Sequence, residues 1–199
     1  MSATLSAGDA GAGAPLRLVR PQAEHLASFV AALERGWSPD SMRGADAARE
    51  ELERVQRDPA LYLERMVDRA ARGDVVRLPD GSQVPRLPGL RCWLWDGEFC
   101  GVIGLRWQPG SADLPSYVLG HVGYHVVPWK RRRGYATEAL RQMLPIARAE
   151  GLPWIDLTTD PDNLASQKVI AANGGVLVER FTKDAAYGGT PGLRFRIRL

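Results

Sequence analysis

The chain has 199 residues, 45% of them hydrophobic, and a formal net charge of +3. That length buries one core but not two full domains, and no apolar run approaches the roughly 18 residues that would span a bilayer. The mild charge gathers in one loop, which suits one small anion better than a long nucleic acid.

The first 15 residues have neither the basic leader nor the apolar segment of a secretion signal, and they read as a flexible tail before a single domain over 16–199. LRLVR at 16–20 alternates like an edge strand. Residues 22–35 carry Leu26, Phe29, Val30 and Leu33 at helical spacing, and Gly36 stops them. Two more helices are expected over 45–56 and 61–71, broken at Asp58-Pro59. Residues 73–89, rich in Pro, Gly and charge, read as a loop or small hairpin, and strands follow at 90–96, 98–107 and 120–128.

Between the first two of these strands, Asp96-Gly97 reads as a two-residue hairpin turn. In that register Trp93 faces Cys100 and Cys92 faces Gly101, so the sulfurs lie on opposite faces and no disulfide is expected. Free thiols point to a cytoplasmic protein. His25, His121 and His125 share no helical face, so no metal is expected either.

Past a long loop, residues 134–150 form a helix with Leu140, Met143, Leu144, Ile146 and Ala147 inward and Pro145 bending it. A buried strand at 154–159, a helix at 163–172 and closing strands at 176–182 and 193–199 complete the chain, with the loop KDAAYGGTPG between the last two. Alternating helix and strand favours parallel pairing, with a ligand at the carboxyl ends of the strands.

The stretch at 121–139, HVGYHVVPWKRRRGYATEA, carries the most chemistry. An apolar strand runs into a small-residue turn and then a helix, whose unsatisfied first-turn N–H groups attract anionic oxygens. Gly134 and Ala136 let those oxygens come close, and the cations at 130–133 add attraction. Arg131, Arg132, Arg133, Gly134, Tyr135 and Ala136 are the candidate phosphate-binding residues. Taken alone, such a basic run is more often a solvated face. The loops that bind nucleoside triphosphates or dinucleotides are absent.

Val126-Val127-Pro128-x-x-Arg131-x-x-Gly134-x-Ala136 resembles the coenzyme A motif of the GCN5-related N-acetyltransferases (GNAT). Downstream, DPDNLASQKVIAANGG resembles the family's Asn-x-x-Ala/Ser helix and its glycine stop, at Asn163, Ser166 and Asn173-Gly174-Gly175. The resemblance spans about 16–199 and is similar to a branch with a GHxGY strand. It implies an α/β (α+β) acyl-CoA N-acyltransferase fold, a mixed twisted central sheet with splayed parallel strands flanked by helices. It also implies acetyl-CoA as co-substrate, with the pantetheine arm along Tyr124, His125 and Val126 and with Asn163 and Ser166 nearby. A primary amine, on a small molecule or a protein, would attack directly in a ternary complex, with a backbone N–H near Val126 facing the oxyanion.

One position departs from that pattern. Seven residues after the motif asparagine the family often has a tyrosine that protonates the thiolate; here it is Ile170. That role is left unassigned; the catalytic candidates are His121 or Tyr124 as the proton route from the amine, directly or through ordered water, and Ser166 near the expected thiol. His121 and Tyr124 differ in strand parity, Ser166 serves equally well as a first-turn residue bonding backbone, and His125 is expected to point away from the amine. Trp107, Trp129, Tyr117 and Tyr187 either line the acceptor side or pack as ordinary aromatics. Residues 45–71 and 73–89 are expected to shape the acceptor entrance. The motifs do not choose the acceptor, and a homodimer stays open. The alternative is an acyl-CoA-binding regulatory module with little turnover; nucleic-acid and membrane partners fit worse.

Overall fold

The computed structural model describes residues 14–40 and 43–199. The tail expected over the first 15 residues lies, up to residue 13, outside the described residues. Strand β1 (Arg17–Val19) leads through a 3-10 turn at Ala23–His25 into α1 (Leu26–Glu34), which buries Phe29, Ala32 and Leu33. Helix α2 (Gly44–Arg57) ends at Asp58. The Asp58 carboxylate accepts the N–H of Leu61, and Pro59 takes a first-turn position that needs no donor, so α3 (Pro59–Glu64) begins at once. The helix expected over 61–71 stops early. Val67 and Asp68 leave it as β2 (Val67–Asp68) to pair with Leu90 and Gly89, and this tertiary pairing overrides the helical pattern.

A small hairpin, β3 (Val76–Arg77) and β4 (Gln83–Val84), occupies the expected loop. There follow β5 (Gly89–Trp95), β6 (Phe99–Arg106), β7 (Val122–Val126), α4 (Tyr135–Ala149), β8 (Trp154–Thr159), α5 (Leu164–Ala172), β9 (Val176–Thr182) and β10 (Pro191–Arg198). The strands form one sheet in the order β1-β5-β6-β7, with β2 also on β5, and a second in the order β8-β10-β9. Leu94, Ile103 and Leu105 pack with Leu140, Met143 and Ile170 on the side covered by α4 and α5. On the other side Phe29 lies 4.5 Å from Trp93 and 5.0 Å from Phe99, ring centre to ring centre, beneath α1.

The hairpin between β5 and β6 corrects the expected register. Its loop holds three residues, and a bulge shifts the ladder between Leu94 and Trp95, so Trp93 faces Val102 and Cys92 faces Ile103. The longer turn and the bulge together shift the pairing by two residues, which keeps the faces beyond the bulge as expected and turns only Cys100, at the bulge itself, to the side of Leu94. Both cysteines consequently lie on the α4 side, not on opposite faces; they are free, and burial pushes their thiols to about 11 for Cys92 and about 12 for Cys100. Gly101 is required at the bulge, because a Cβ there would come within 2.1 Å of the His125 carbonyl oxygen.

The expected parallel pairing is also corrected, for every ladder among the described residues is antiparallel. Helix α4 crosses from β7 to β8, but those two strands splay apart. They are joined just before β7, where the N–H of His121 donates to the Asp156 carbonyl at 2.7 Å and the N–H of Asp156 donates to His121 Nδ1 at 2.9 Å. The ring takes the place of a backbone acceptor, which ends the ladder. On the far side of the joint, the Asp156 carboxylate accepts two bonds from Arg196, whose guanidinium lies 4.5 Å from the Trp154 ring centre.

Nδ1 accepts, so the His121 ring is neutral, with its proton on Nε2. Burial lowers its pKa, against a weaker opposing pull from Asp156. A pKa below the unfolded value makes this stabilisation complete above about 6.5 and lost as pH falls below it through the lower folded value. His121→Ala should cost on the order of 2 kcal/mol by orphaning the Asp156 donor. His121→Asn, whose side-chain oxygen can accept the same bond, should keep much of that and flatten the acid limb. Urea unfolding from pH 5 to 8 checks both; an alanine variant as stable as the parent would refute the joint.

Candidate functional site

Beyond β7 the chain turns sharply. The N–H of Val127 donates to the Cys100 carbonyl at 2.9 Å, Pro128–Lys130 forms a 3-10 turn, and Arg132 (φ 62°) and Gly134 (φ 76°) adopt left-handed backbone. Left-handed backbone costs a non-glycine residue about 1 kcal/mol. Gly134 is the N-cap of α4, so no side chain caps that helix, and its first-turn amides at 135–137 remain free to bind an anion. No atom lies within 4 Å of where a Gly134 Cβ would stand, leaving the approach open. Arg131, Arg132 and Arg133 are all exposed, and Arg131 Nε donates to the Val126 carbonyl at 3.2 Å.

Lys130 does not join them, a further correction to the sequence reading. Its ammonium is buried, 2.9 Å from Asp96 Oδ2 and 2.5 Å from Glu98, and Tyr135 donates its hydroxyl to the same Asp96 oxygen at 2.6 Å. The hairpin-tip carboxylate thus grips the loop on both sides of the arginines. Burial works to raise the Asp96 pKa, but bonds from Tyr135 and Lys130 outweigh it and hold the group at about 2. No local pattern announces this anchor, whose members lie 34 and 39 positions apart.

The other candidates divide between the two faces of β7. Val127 N–H and the His125 carbonyl point toward β6, so the backbone groups of Tyr124 and Val126 point to the unladdered edge facing β8. Tyr124 and Ser166 are brought together: their hydroxyl oxygens are 2.9 Å apart, both half-buried. Burial raises the Tyr124 pKa, with the Ser166 bond opposing. Asn163 Oδ1 accepts the N–H of Ser166 at 3.0 Å and caps α5. Ile170 is fully buried in the core.

His121 lies apart, its ring committed to the joint. His125 sits on the opposite face in a row with Trp93 and Val102, where burial, then the charges of Arg91 and Arg131, lower its pKa. Of the aromatics, Trp107 packs into the core beneath α4, Arg35 lies 4.9 Å from the Trp129 ring centre, and Tyr187 donates to the Tyr117 carbonyl at 2.8 Å.

Residues 16–176 match the family model described as an acetyltransferase (GNAT) domain. Among curated proteins none matches the sequence. Solved structures share the fold at low identity. The microcin C7 self-immunity acetyltransferase MccE, in complex with acetyl-CoA and AMP, is similar with a TM-score of 0.56 at 10% identity over 92% of each chain. RimL, a ribosomal L7/L12 alpha-N-protein acetyltransferase in complex with coenzyme A, gives 0.59 at 13% identity over 92% of this chain and 94% of that one. Mycobacterium smegmatis RimJ, in complex with CoA-disulfide, gives 0.57 at 17% identity over 92% and 81%.

The Asp96 anchor has a testable acid signature. A pKa depressed from 3.8 to about 2 gives stability that is full above 3.8 and lost as pH falls toward 2. The shift corresponds to about 2 kcal/mol. Asp96→Asn should therefore lower the unfolding free energy by roughly that amount at pH 7, and parent and variant should converge near pH 2 to 3. Equal urea midpoints at pH 7 would show that the anchor contributes nothing.

Proposed function

The chain belongs to the GNAT acetyltransferase family, and from that premise we propose that it transfers the acetyl group of acetyl-CoA to a primary amine within one ternary complex, with no covalent enzyme intermediate. The observation that carries this reading is the continuity between the open edge of β7 and the uncapped N-terminus of α4. An extended arm can pair with one while its diphosphate reaches the other.

The backbone groups of Tyr124 and Val126 are suited to the pantetheine amides, as an added strand would be. The amides of 134–136 are suited to the diphosphate, and Arg131, Arg132 and Arg133 supply attraction that salt screens. Acetyl-CoA brings the activated carbonyl. Val126 N–H, on the open edge, is the donor within the chain for that carbonyl oxygen.

Tyr124 takes the role left vacant at Ile170. A phenol whose pKa is raised by burial keeps its proton at neutral pH, so it can donate to a departing thiolate, and Ser166 orients it. His121 fits that role less well because its ring is fully buried at the joint with β8. Both cysteines are free, and no helix among the described residues is long and apolar enough to cross a membrane. The reading places the reaction in the cytoplasm.

Acetyl-CoA at about 100 times its dissociation constant should stabilise the folded protein by roughly 2.7 kcal/mol. Gly134→Val should abolish the effect, because a branched side chain would occupy the phosphate approach in a left-handed backbone it disfavours. Tyr124→Phe should lower kcat by about 100-fold with little change in the KM for acetyl-CoA. Melting curves and coenzyme A release over a library of amines check these in turn. A melting curve unmoved by acetyl-CoA would refute the co-substrate, and binding without coenzyme A release would favour a regulatory module.

A further inference from the structure

The face of the first sheet that carries His125 has an unusual floor. Across β5, β6 and β7 the row Trp93, Val102, His125 is followed by the row Arg91, Gly104, Gly123, and Gly89 then faces Arg106. The first row is covered by aromatic side chains of α1 and its neighbours. In the next two, three of the five positions have no side chain. A Cβ on Gly104 would meet only the Leu90 carbonyl, at 3.5 Å, and one on Gly123 only Arg106 Nη2, at 3.6 Å. The Arg106 guanidinium therefore lies over the bare backbone of β7.

The charges around that guanidinium do not neutralise it. Packed protein on its inner side, then the neighbouring cation Arg91, lower its pKa while the phenol of Tyr187 opposes, and its outer side is exposed to water. Arg91 itself has only Glu51, at 3.6 Å, and that carboxylate also accepts the Tyr62 hydroxyl. Arg91 and Arg106 stand in adjacent rows of β5 and β6 and both reach water, so their mutual repulsion is screened, and an anion held by both forks gains two charge-assisted partners at once. Their planar donor forks match a carboxylate or a phosphate. The place matters as much as the charge. Gly123 adjoins Tyr124, so the Arg106 head lies about one strand residue, roughly 3.3 Å, along β7 from the Tyr124–Ser166 pair and on the opposite face.

We propose that the acceptor is a small amine bearing a carboxylate or phosphate a few bonds from the reacting nitrogen, and that Arg106, with Arg91 beside it, holds that anion over the floor of Gly104 and Gly123. This rests on the acetyltransferase reading, to which it adds the class of acceptor. The glycines provide room for the anion to lie against the sheet, and Arg106 fixes the distance from anion to nitrogen.

The test uses the full chain saturated with coenzyme A, so that the α4 N-terminus is filled, and titrates inorganic phosphate and succinate at constant ionic strength. Calorimetry should show one anion bound. Arg106→Gln should weaken it at least tenfold, Arg106→Lys should recover part of the loss, and Arg57→Gln, an exposed cation at the end of α2, should leave it unchanged. A preference between phosphate and succinate assigns the anion. No binding at millimolar anion, or equal binding by Arg106→Gln, overturns the proposal. A second arm compares O-phosphoethanolamine with ethanolamine and β-alanine with propylamine. The anionic member of a pair should have at least a tenfold lower KM, and Arg106→Gln should erase that difference; a neutral member preferred by the parent also overturns it. When none of the four amines turns over, the titration alone decides. Should coenzyme A fail to bind, the acetyltransferase reading falls, while the same titration without it still distinguishes Arg106→Gln from Arg57→Gln.

Discussion

Two hydrogen bonds between His121 and Asp156 determine where this fold opens. Adjacent strands ordinarily continue to pair once they have begun, because each further residue satisfies two backbone groups at little cost. Here the second bond is made by an imidazole, which has no chain to carry the ladder onward. The sheets diverge from that point, and the backbone of Tyr124 and Val126 is left facing a gap. Paired with β6 on its other side, an edge like this gains from any ligand that supplies the missing partners.

The loop beyond β7 faces a different constraint. Three exposed guanidiniums in succession repel one another, and a left-handed Arg132 adds strain. Such a loop keeps one shape only if something outside it holds both ends. Asp96 does so from the adjacent hairpin, taking Lys130 on one side and Tyr135 on the other. The turn is thereby arranged before any ligand arrives, and less ordering remains to be done on binding.

What could be read from the sequence was local. Asn163 opening α5, Gly134 opening α4, the interruption after α2 at Asp58 and the strand at Trp154–Thr159 all follow from residue types within a few positions of one another. What could not be read depended on distant partners or on a single inserted residue. The bulge near Gly101 reversed the expected facing of Cys100, pairing with β5 drew Val67 out of a helix, and the burial of Lys130 was decided by a carboxylate 34 residues away. Arg106 escaped notice for a related reason. Its significance lies in the glycines on neighbouring strands, which align only once the register is known.

Because Ile170 lies in the core, the hydroxyl pair at the slot spans two elements, with Tyr124 on β7 and Ser166 on α5. A tyrosine carried by the helix would travel with it. A hydrogen bond shared between strand and helix instead measures the separation between them, and at 2.9 Å it tolerates only a few tenths of an ångström of widening before it weakens. The acidity of Tyr124 thus depends on how far strand and helix are spread, so the proton delivery proposed for it would respond to the thickness of an acyl chain lying between them.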